Sequence, residues 1–326
     1  MVDVVLFGMG NSGQAFVRAL RQEGDGLWHP KVAGYGVKDV SVRAAFDVDP
    51  SKVGAKGLGT EVFPGLARDP SPRGLEKGRV SDEEEIRSRL RSLKPDVALN
   101  LISSGQDESS KAYARLCAEE GIAFANATSA RIATGKGFVS LFSKKGVPFA
   151  GDDLMSQLGG TALHRGLVDF LDARGIRVAR SYQLDVGGSP DTLNTISDDV
   201  RSLKRSIKSD SISHEVDYKV EAVAGTTDYV EFLGSRRTIY LWLEGSGAMD
   251  EPYEMDIFFK SSDPANAANV LLDVARALAG ARRQGKAGPE DVISAFGFKN
   301  PPRPAKLRDA LAGFEELYCR RARKRL

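Results

Sequence analysis

The apolar positions in the first half of the chain alternate between buried runs and helical spacing. The run Val2–Phe7 predicts a buried strand, and Ala15, Phe16 and Leu20 then follow at the spacing of an amphipathic helix. The same alternation predicts strands at 41–46, 95–102, 122–126 and 147–150, and helices at 82–93, 109–120 and 138–145. Strands that alternate with helices in this way favour a parallel, doubly wound α/β sheet of Rossmann type.

The pattern changes after residue 180, where several segments alternate apolar and polar residues with period two. Strands are predicted at 182–186, 218–223, 238–244 and 253–259, and a helix at 263–281. Period-two alternation is typical of a sheet with one exposed face, so we expect a second α+β lobe. The expected division places residues 1–185 and 263–326 in one unit and 186–262 in the other.

Composition narrows the class of protein. A chain of 326 residues with 41% hydrophobic content can bury the cores of two lobes. No apolar run is long enough to cross a bilayer and no leader-like segment opens the chain, so we expect a cytoplasmic protein with no membrane contact. The 46 basic and 44 acidic residues nearly balance, which gives no signal for nucleic acid, and the basic run 320–325 is interpreted as a solvated chain end. Two cysteines and three scattered histidines indicate neither a disulfide framework nor a zinc site.

A glycine motif joins the first strand to the first helix. Gly8, Gly10 and Gly13 are spaced as G-x-G-x-x-G, and Asn11 and Ser12 lie between them. Between a strand and a helix this motif predicts a dinucleotide site, although a merely tight turn is the alternative. Asp47, at the end of the second predicted strand, is a candidate for the ribose hydroxyls and favours NAD over NADP; otherwise it starts a turn with Pro50.

Two further loops follow strands at the edge of the sheet where α/β proteins bind ligands. Ser103 and Thr128 lie in these loops. Either residue is a candidate cofactor contact, and an ordinary polar loop is the equal alternative.

The segment 151–161 combines two carboxylates with the start of a predicted helix. Unpaired backbone N–H groups at a helix start, with hydroxyl groups beside them, favour an anion such as phosphate. We expect Asp152 and Asp153 to face the nicotinamide end of the cofactor. The candidate phosphate residues are Ser156, Gln157, Gly159, Gly160 and Thr161.

Lysines are the remaining candidates for chemistry. Lys204 and Lys208 share a face if their segment is helical, although such a pair is usually a solvated surface. Lys299 stands between an aromatic residue and the segment Asn300-Pro301-Pro302, where a linker is the commoner explanation. Asp191 follows a glycine turn that is either an ordinary loop or a wall of an active site.

Taken together, these segments resemble the myo-inositol-1-phosphate synthase family, in its archaeal and bacterial branch, along nearly the whole chain. The resemblance rests on Gly8-Met9-Gly10-Asn11, Ala44-Ala45-Phe46-Asp47-Val48-Asp49, the block from Gly151 to Arg165, Tyr182-Gln183-Leu184-Asp185-Val186-Gly187-Gly188 and Phe298-Lys299-Asn300-Pro301-Pro302. It implies conversion of D-glucose 6-phosphate to 1L-myo-inositol 1-phosphate, for inositol and phospholipid biosynthesis. Bound NAD would be reduced at C5 of the sugar and reoxidised after an aldol cyclisation.

The resemblance also implies roles for single residues and an assembly. Lys204, Lys208, Lys299 and Asp191 correspond to catalytic positions, and the exposed sheet of the second lobe implies a homotetramer. Arg237 stands where the family usually has lysine, and the segment 263–267 reads Asp-Pro-Ala-Asn-Ala in place of the family's Asp-Ser-Pro-Asn-Ser. Because of these departures, the exact hexose phosphate stays open, and a related cyclitol-phosphate synthase stays an alternative.

Three questions stay open at the level of sequence. A dehydrogenase of another phosphorylated sugar would use the same NAD and phosphate sites, and a non-catalytic NAD-binding protein would use the first alone. No carboxylate cluster identifies metal ligands, so whether a divalent or monovalent cation takes part is also open.

Overall fold

The computed structural model describes residues 1–21, 26–55, 57–71, 75 and 78–319. The basic run 320–325 therefore lies outside the described residues. The strands are β1 (Val2–Phe7), β2 (Val40–Asp47), β3 (Val62–Pro64), β4 (Val97–Asn100), β5 (Ala123–Asn126), β6 (Pro148–Gly151), β7 (Arg177–Gly187), β8 (Glu221–Tyr229), β9 (Arg236–Ser246), β10 (Pro252–Ser262) and β11 (Gly288–Pro289). The helices are α1 (Asn11–Ala19), α2 (Glu83–Leu93), α3 (Asp107–Glu119), α4 (Lys136–Lys145), α5 (Gly160–Ala173), α6 (Pro190–Thr195), α7 (Asp198–Ser213), α8 (Asp263–Arg283), α9 (Asp291–Gly297) and α10 (Leu307–Phe314).

The first sheet is parallel and doubly wound, as the sequence predicted. Within the described residues its seven strands run in the order β3-β2-β1-β4-β5-β6-β11. The chain leaves β1 toward β2 on one side and returns to β4 on the other, so a crevice opens outside the carboxyl ends of β1 and β4. This order confirms the predicted fold class.

Two apolar cores hold helices on both faces of this sheet. One core joins α1 and α8 to the sheet, for example through Phe16 and Leu271. The other joins α2, α3 and α4 through residues such as Leu90 and Phe142. Strands that are buried on both faces read as continuous apolar runs, which is why Val2–Phe7 was recognisable in the sequence.

The second sheet is mixed and has the strand order β10-β9-β7-β8. Helices α5 and α7 cover one face, where Val168 and Ile212 pack against Leu241 and Leu243. The other face is exposed and carries Leu184 and Phe258, which are 40% and 66% exposed. Its period-two alternation confirms the sequence prediction of a sheet with one open face.

Several strands differ from the prediction in extent. Strand β7 covers Arg177–Gly187 instead of 182–186 and pairs with β8 and β9, and α5 also packs on the second sheet. Strand β8 covers Glu221–Tyr229 instead of 218–223, and the sequence predicted no strand at β3 or β11. In the part of the chain that the structure describes, no helix has the length and apolarity to span a membrane.

Candidate active site

The glycine turn between β1 and α1 is built for close approach. Gly8 has φ +100°, and a Cβ there would lie 2.7 Å from the backbone carbonyl of Leu101. A Cβ on Gly13 would lie 2.7 Å from the carbonyl oxygen of Gly8. Around the Cβ position of Gly10, by contrast, no described atom lies within 4 Å, so the first N–H groups of α1 open onto free space.

Asp47 closes this turn from the end of β2. Its Oδ2 accepts a hydrogen bond of 2.6 Å from the N–H of Met9, and its Oδ1 accepts one of 2.9 Å from the N–H of Asp49. The ammonium of Lys52 lies 3.6 Å from Oδ2. Sequence reasoning found Asp47 but not Lys52, a cation only five residues further along the chain.

One groove of about 610 Å³ connects this turn to the lysines. Most residues that the sequence proposed for cofactor and chemistry line it: Gly8, Gly10, Asn11, Ser12, Asp47, Ser103, Asp153, Asp191, Lys204 and Lys299. Since these residues come from distant parts of the chain, their convergence on one groove is the main fact that the structure adds.

Thr128 and Asp152 are placed differently from the expectation, because among the described residues neither lines the groove. The hydroxyl of Thr128 donates to Asn126 Oδ1 at 2.9 Å. Asp152 is fully buried and accepts hydrogen bonds from Asn126 Nδ2, at 2.8 Å, and from the segment 132–134. Burial raises the pKa of Asp152 to about 7 and these bonds oppose the rise. Both side chains therefore stabilise the segment 126–134 through buried hydrogen bonds instead of facing the groove.

The side chain of Asp153 faces the groove, in the opposite direction to that of Asp152, and its backbone adopts φ +59°. Its Oδ1 accepts a 3.0 Å hydrogen bond from Lys299 Nζ, and its Oδ2 is buried without a hydrogen-bond partner among the described residues. The N–H of Lys299 also donates to the Asp153 carbonyl at 2.8 Å. Lys299 is thus held by its backbone as well as by its charge, which a linker would not require.

Burial and the charges of Lys204 and Lys208 lower the pKa of Lys299, although Asp153 acts against them. Burial alone would raise the pKa of Asp153, but the nearby ammonium groups lower it. A lysine with a lowered pKa beside an ionised carboxylate is suited to exchange a proton.

Lys204 and Lys208 lie one turn apart on α7 and both face the site. Lys204 Nζ lies 3.3 Å from Asp191 Oδ2, and Asp191 Oδ1 accepts a 3.0 Å hydrogen bond from the N–H of Ser104. Although burial works in the opposite direction, Asp191 and Asp153 raise the pKa of Lys204. Lys208 donates to Asp185 and is 6% exposed, so this pair is not a solvated surface.

Arg237 is the fourth cation of the site. It donates to Asp263 through Nε, and its Nη1 lies 3.9 Å from Asp185 Oδ2. Burial would lower the pKa of this guanidinium, but Asp263 and Asp185 raise it further above its ordinary range. Together with the three lysines it gives four cations facing four carboxylates, so the described pocket is close to neutral.

A small cavity of about 60 Å³ lies between these cations and the segment 156–161, which holds the predicted phosphate residues and is called the phosphate loop below. Ser156, Gly159, Gly160, Thr161, Lys204, Lys208, Arg237 and Lys299 line it. A Cβ on Gly160 would lie 2.3 Å from Gln183 Nε2, so the helix start approaches β7 as closely as glycine allows. Gln157 does not line this cavity in the described part of the chain, because its side chain turns toward Asn269.

Sequence reasoning missed Asp185 and Gln183 as members of the site. Both point inward from β7, and Gln183 Nε2 donates to Asp185 Oδ1 at 2.7 Å. The sequence signal that could have found them is an inverted strand pattern, in which the buried positions are polar and the outward-facing positions, Tyr182 and Leu184, are apolar or aromatic. Among the described residues no group of three or more His, Cys, Asp or Glu side chains is arranged to hold a metal ion.

Comparison with known proteins identifies the family of this chain. The family model of myo-inositol-1-phosphate synthase matches residues 159–264. An inositol-3-phosphate synthase of Mycolicibacterium smegmatis is 31% identical over 352 residues, which is 96% of this chain and 96% of that protein. The chain belongs to the myo-inositol-1-phosphate synthase family.

Solved structures place the whole chain in the fold of this synthase family. The crystal structure of Ari2 has a TM-score of 0.75 at 30% identity and covers 97% of this chain and 98% of that one. A myo-inositol-1-phosphate synthase-related protein from Thermotoga maritima has a TM-score of 0.86 at 21% identity over 97% and 98% of the two chains, and shows the fold alone. The segment matched by the synthase family model contains Gly159, Gly160 and Thr161 of the phosphate loop, together with Lys204, Lys208 and Arg237. Ser156, Gln157, Lys299 and the glycine turn lie outside it.

Proposed function

We propose that this protein converts D-glucose 6-phosphate to 1L-myo-inositol 1-phosphate with bound NAD, as an isomerase of the intramolecular lyase type. The observation that carries the proposal is the junction of two cavities at Lys204, Arg237 and Lys299, which line both. One cavity leads to a glycine turn suited to a dinucleotide, and the other ends at a helix start suited to phosphate. Membership of the synthase family supports the same reaction.

The residues of the groove fit NAD. Gly8, Gly10, Asn11 and Ser12 would hold the pyrophosphate against the open start of α1, and Asp47 would accept hydrogen bonds from the ribose. Asp153, whose Oδ2 has no partner among the described residues, lies at the end of the groove next to Lys299. When bound, NAD would accept a hydride from C5 of the sugar and return it at the end of the cycle.

The phosphate loop would hold the other end of the substrate. Ser156 and Thr161 supply hydroxyls, and Gly159 and Gly160 expose backbone N–H groups at the start of α5. Lys208, which lines the same cavity, adds a positive charge for the phosphate or the O1 oxygen. This grip fixes the sugar between the loop and the groove.

The lysines would handle the protons and the developing oxyanions. Lys299, with its lowered pKa, takes the O5 proton on Nζ as C5 is oxidised, and Lys204 remains an ammonium that stabilises the oxygen anion at O5. The ketone at C5 acidifies C6, and the enolate that forms when C6 loses a proton attacks the C1 aldehyde. The proton released at C6 is balanced by the proton that the new O1 oxyanion takes up, so the step is an isomerisation overall. Arg237 keeps its charge throughout, so it stabilises an oxyanion without exchanging a proton.

The exposed face of the second sheet supports a homotetramer, which is part of the same proposal, as is a cytoplasmic location. Tyr182 stacks on Trp242 at 5.3 Å between ring centroids, and Phe258 lies exposed on the same face. Exposed aromatic residues on a sheet face, with the charged side chains of Arg180, Glu244 and Asp256 among them, are typical of a surface that another subunit covers.

The reaction is tested with purified protein, NAD and glucose 6-phosphate. We expect inositol phosphate to form, as measured by phosphorus NMR, without net accumulation of NADH at 340 nm. Stoichiometric NADH would instead indicate an ordinary dehydrogenase. Tight NAD binding without turnover of any hexose phosphate would indicate a non-catalytic NAD-binding protein.

A further inference from the structure

The phosphate loop is anchored from behind by helix α8. The N–H of Gln157 donates to the carbonyl oxygen of Asn266 at 3.1 Å. The side-chain oxygen of Gln157 accepts a 2.7 Å hydrogen bond from Asn269 Nδ2. Ser156 and Gly159, on either side, line the small cavity, so the loop presents one edge to the substrate and the other to α8.

Asn269 is also bound to a third segment. Its Nδ2 donates to the carbonyl of Gly26 and its Oδ1 accepts from the N–H of Trp28, each at 3.2 Å. The side chain is buried, at 8% exposure, so its donors and acceptor depend on these protein partners. Asparagine suits the position because one amide supplies donors and an acceptor together, which neither aspartate nor leucine does.

The elements that hold Asn269 are themselves fixed by buried contacts. Helix α8 is buried along most of its length. One turn further along it, Asp273 accepts a 2.6 Å hydrogen bond from His29, whose ring stacks on Trp28 at 5.1 Å between centroids. Asn269 therefore joins the loop to a rigid helix and to a turn that is itself fixed by buried contacts.

We propose that Asn269 is a positioning residue that sets the affinity of the phosphate loop through Gln157. The role rests on the proposed function, since it assumes that this loop binds the phosphate of the substrate. Without the Asn269 amide, the Gln157 side chain loses its partner and only the backbone bond to Asn266 still anchors the loop, so the loop N–H groups are held less firmly before binding. Substrate affinity then falls, whereas the lysines that carry the chemistry keep their contacts.

The test compares Asn269→Ala, Gln157→Ala and the double variant with the full-length wild type. We expect each single variant to raise KM for glucose 6-phosphate about tenfold, the effect of losing about 1.4 kcal/mol of binding, with kcat and the Kd of NAD within about twofold. The double variant should also raise KM about tenfold, because both changes break the same contact. Gln284→Ala, an exposed amide at the far end of α8, is the matched control and should leave KM unchanged.

Binding of inorganic phosphate to the NAD-loaded protein, measured by calorimetry, runs in parallel and does not depend on turnover. Weaker phosphate binding in both single variants supports the role even if the wild type fails to convert glucose 6-phosphate, an outcome that would count against the proposed function alone. Unchanged KM and phosphate affinity, or additive effects in the double variant, would overturn the inference. Gln157→Ala lies on the partly exposed loop and keeps the test decisive if Asn269→Ala does not fold.

Discussion

Replacing Lys299 by methionine separates its chemical role from its structural one. The Lys299 ammonium lies 3.0 Å from the carboxylate of Asp153, which is 3% exposed. Removing one partner of a buried ion pair costs about 3–5 kcal/mol, and we expect the lower end because Lys204 and Lys208 still act on Asp153. Loss of the proton-exchanging group should lower kcat by about 10³, within the range that general acid and base groups contribute.

The assay pairs turnover of glucose 6-phosphate with unfolding in urea. Lys299→Met should lose both activity and about 3 kcal/mol of stability, and adding Asp153→Asn should restore most of the stability but none of the activity. Lys144→Met, an exposed lysine on α4, is the control and should match the wild type in both assays. A fall in kcat of less than tenfold, or recovery of activity together with stability in the double variant, would refute the proton-transfer role.

Two further predictions concern stability with pH and assembly. Burial would lower the pKa of His29, but its hydrogen bond and charge interaction with Asp273, aided by Glu315, raise it above its unfolded value of 6.5. The stabilisation is therefore complete below pH 6.5 and is lost as pH rises through the folded pKa. Thermal midpoints between pH 5.5 and 9 should show this slope in the wild type and lose it in His29→Gln; an equal slope in both would exclude His29 as its source. Placing two charges on the exposed sheet face, by Trp242→Glu with Phe258→Glu, should give monomers in light scattering with an unchanged circular dichroism spectrum, whereas an unaltered mass would show that this face is not the interface.

The five central strands of the first sheet were predictable because they are apolar on both faces and their connections follow the usual parallel order, whereas the short edge strands β3 and β11 were not. The start of the second sheet was not. Strand β7 opens with Arg177 and Arg180, which are exposed, and its inward positions at Gln183 and Asp185 are polar. These polar inward positions invert the pattern that normally marks a strand, so the sequence predicted only the segment 182–186 of β7.

Most candidate site residues line the groove or the small cavity, whereas Thr128, Asp152 and Gln157 line neither in the described part of the chain. The contacts between these residues could not be predicted. Sequence treated Asp152 and Asp153 alike, and only the left-handed backbone at Asp153 sends one carboxylate to the groove while the other faces the interior. Likewise, the spacing of Lys204 and Lys208 puts them on one face of a helix but does not say whether that face is buried. Pairing of each with its own aspartate depends on how α7 packs against α6 and the end of β7.

Helix α8 and the segment after it have a consequence for biosynthesis on the ribosome. Asp263, Asn269 and Lys299 each contact residues made much earlier, and β11 completes the sheet beside β6. A nascent chain that has not yet released residues 263–299 therefore has neither the anchored loop nor the full set of cations. We therefore expect a product that terminates anywhere before Lys299 to lack the proposed activity.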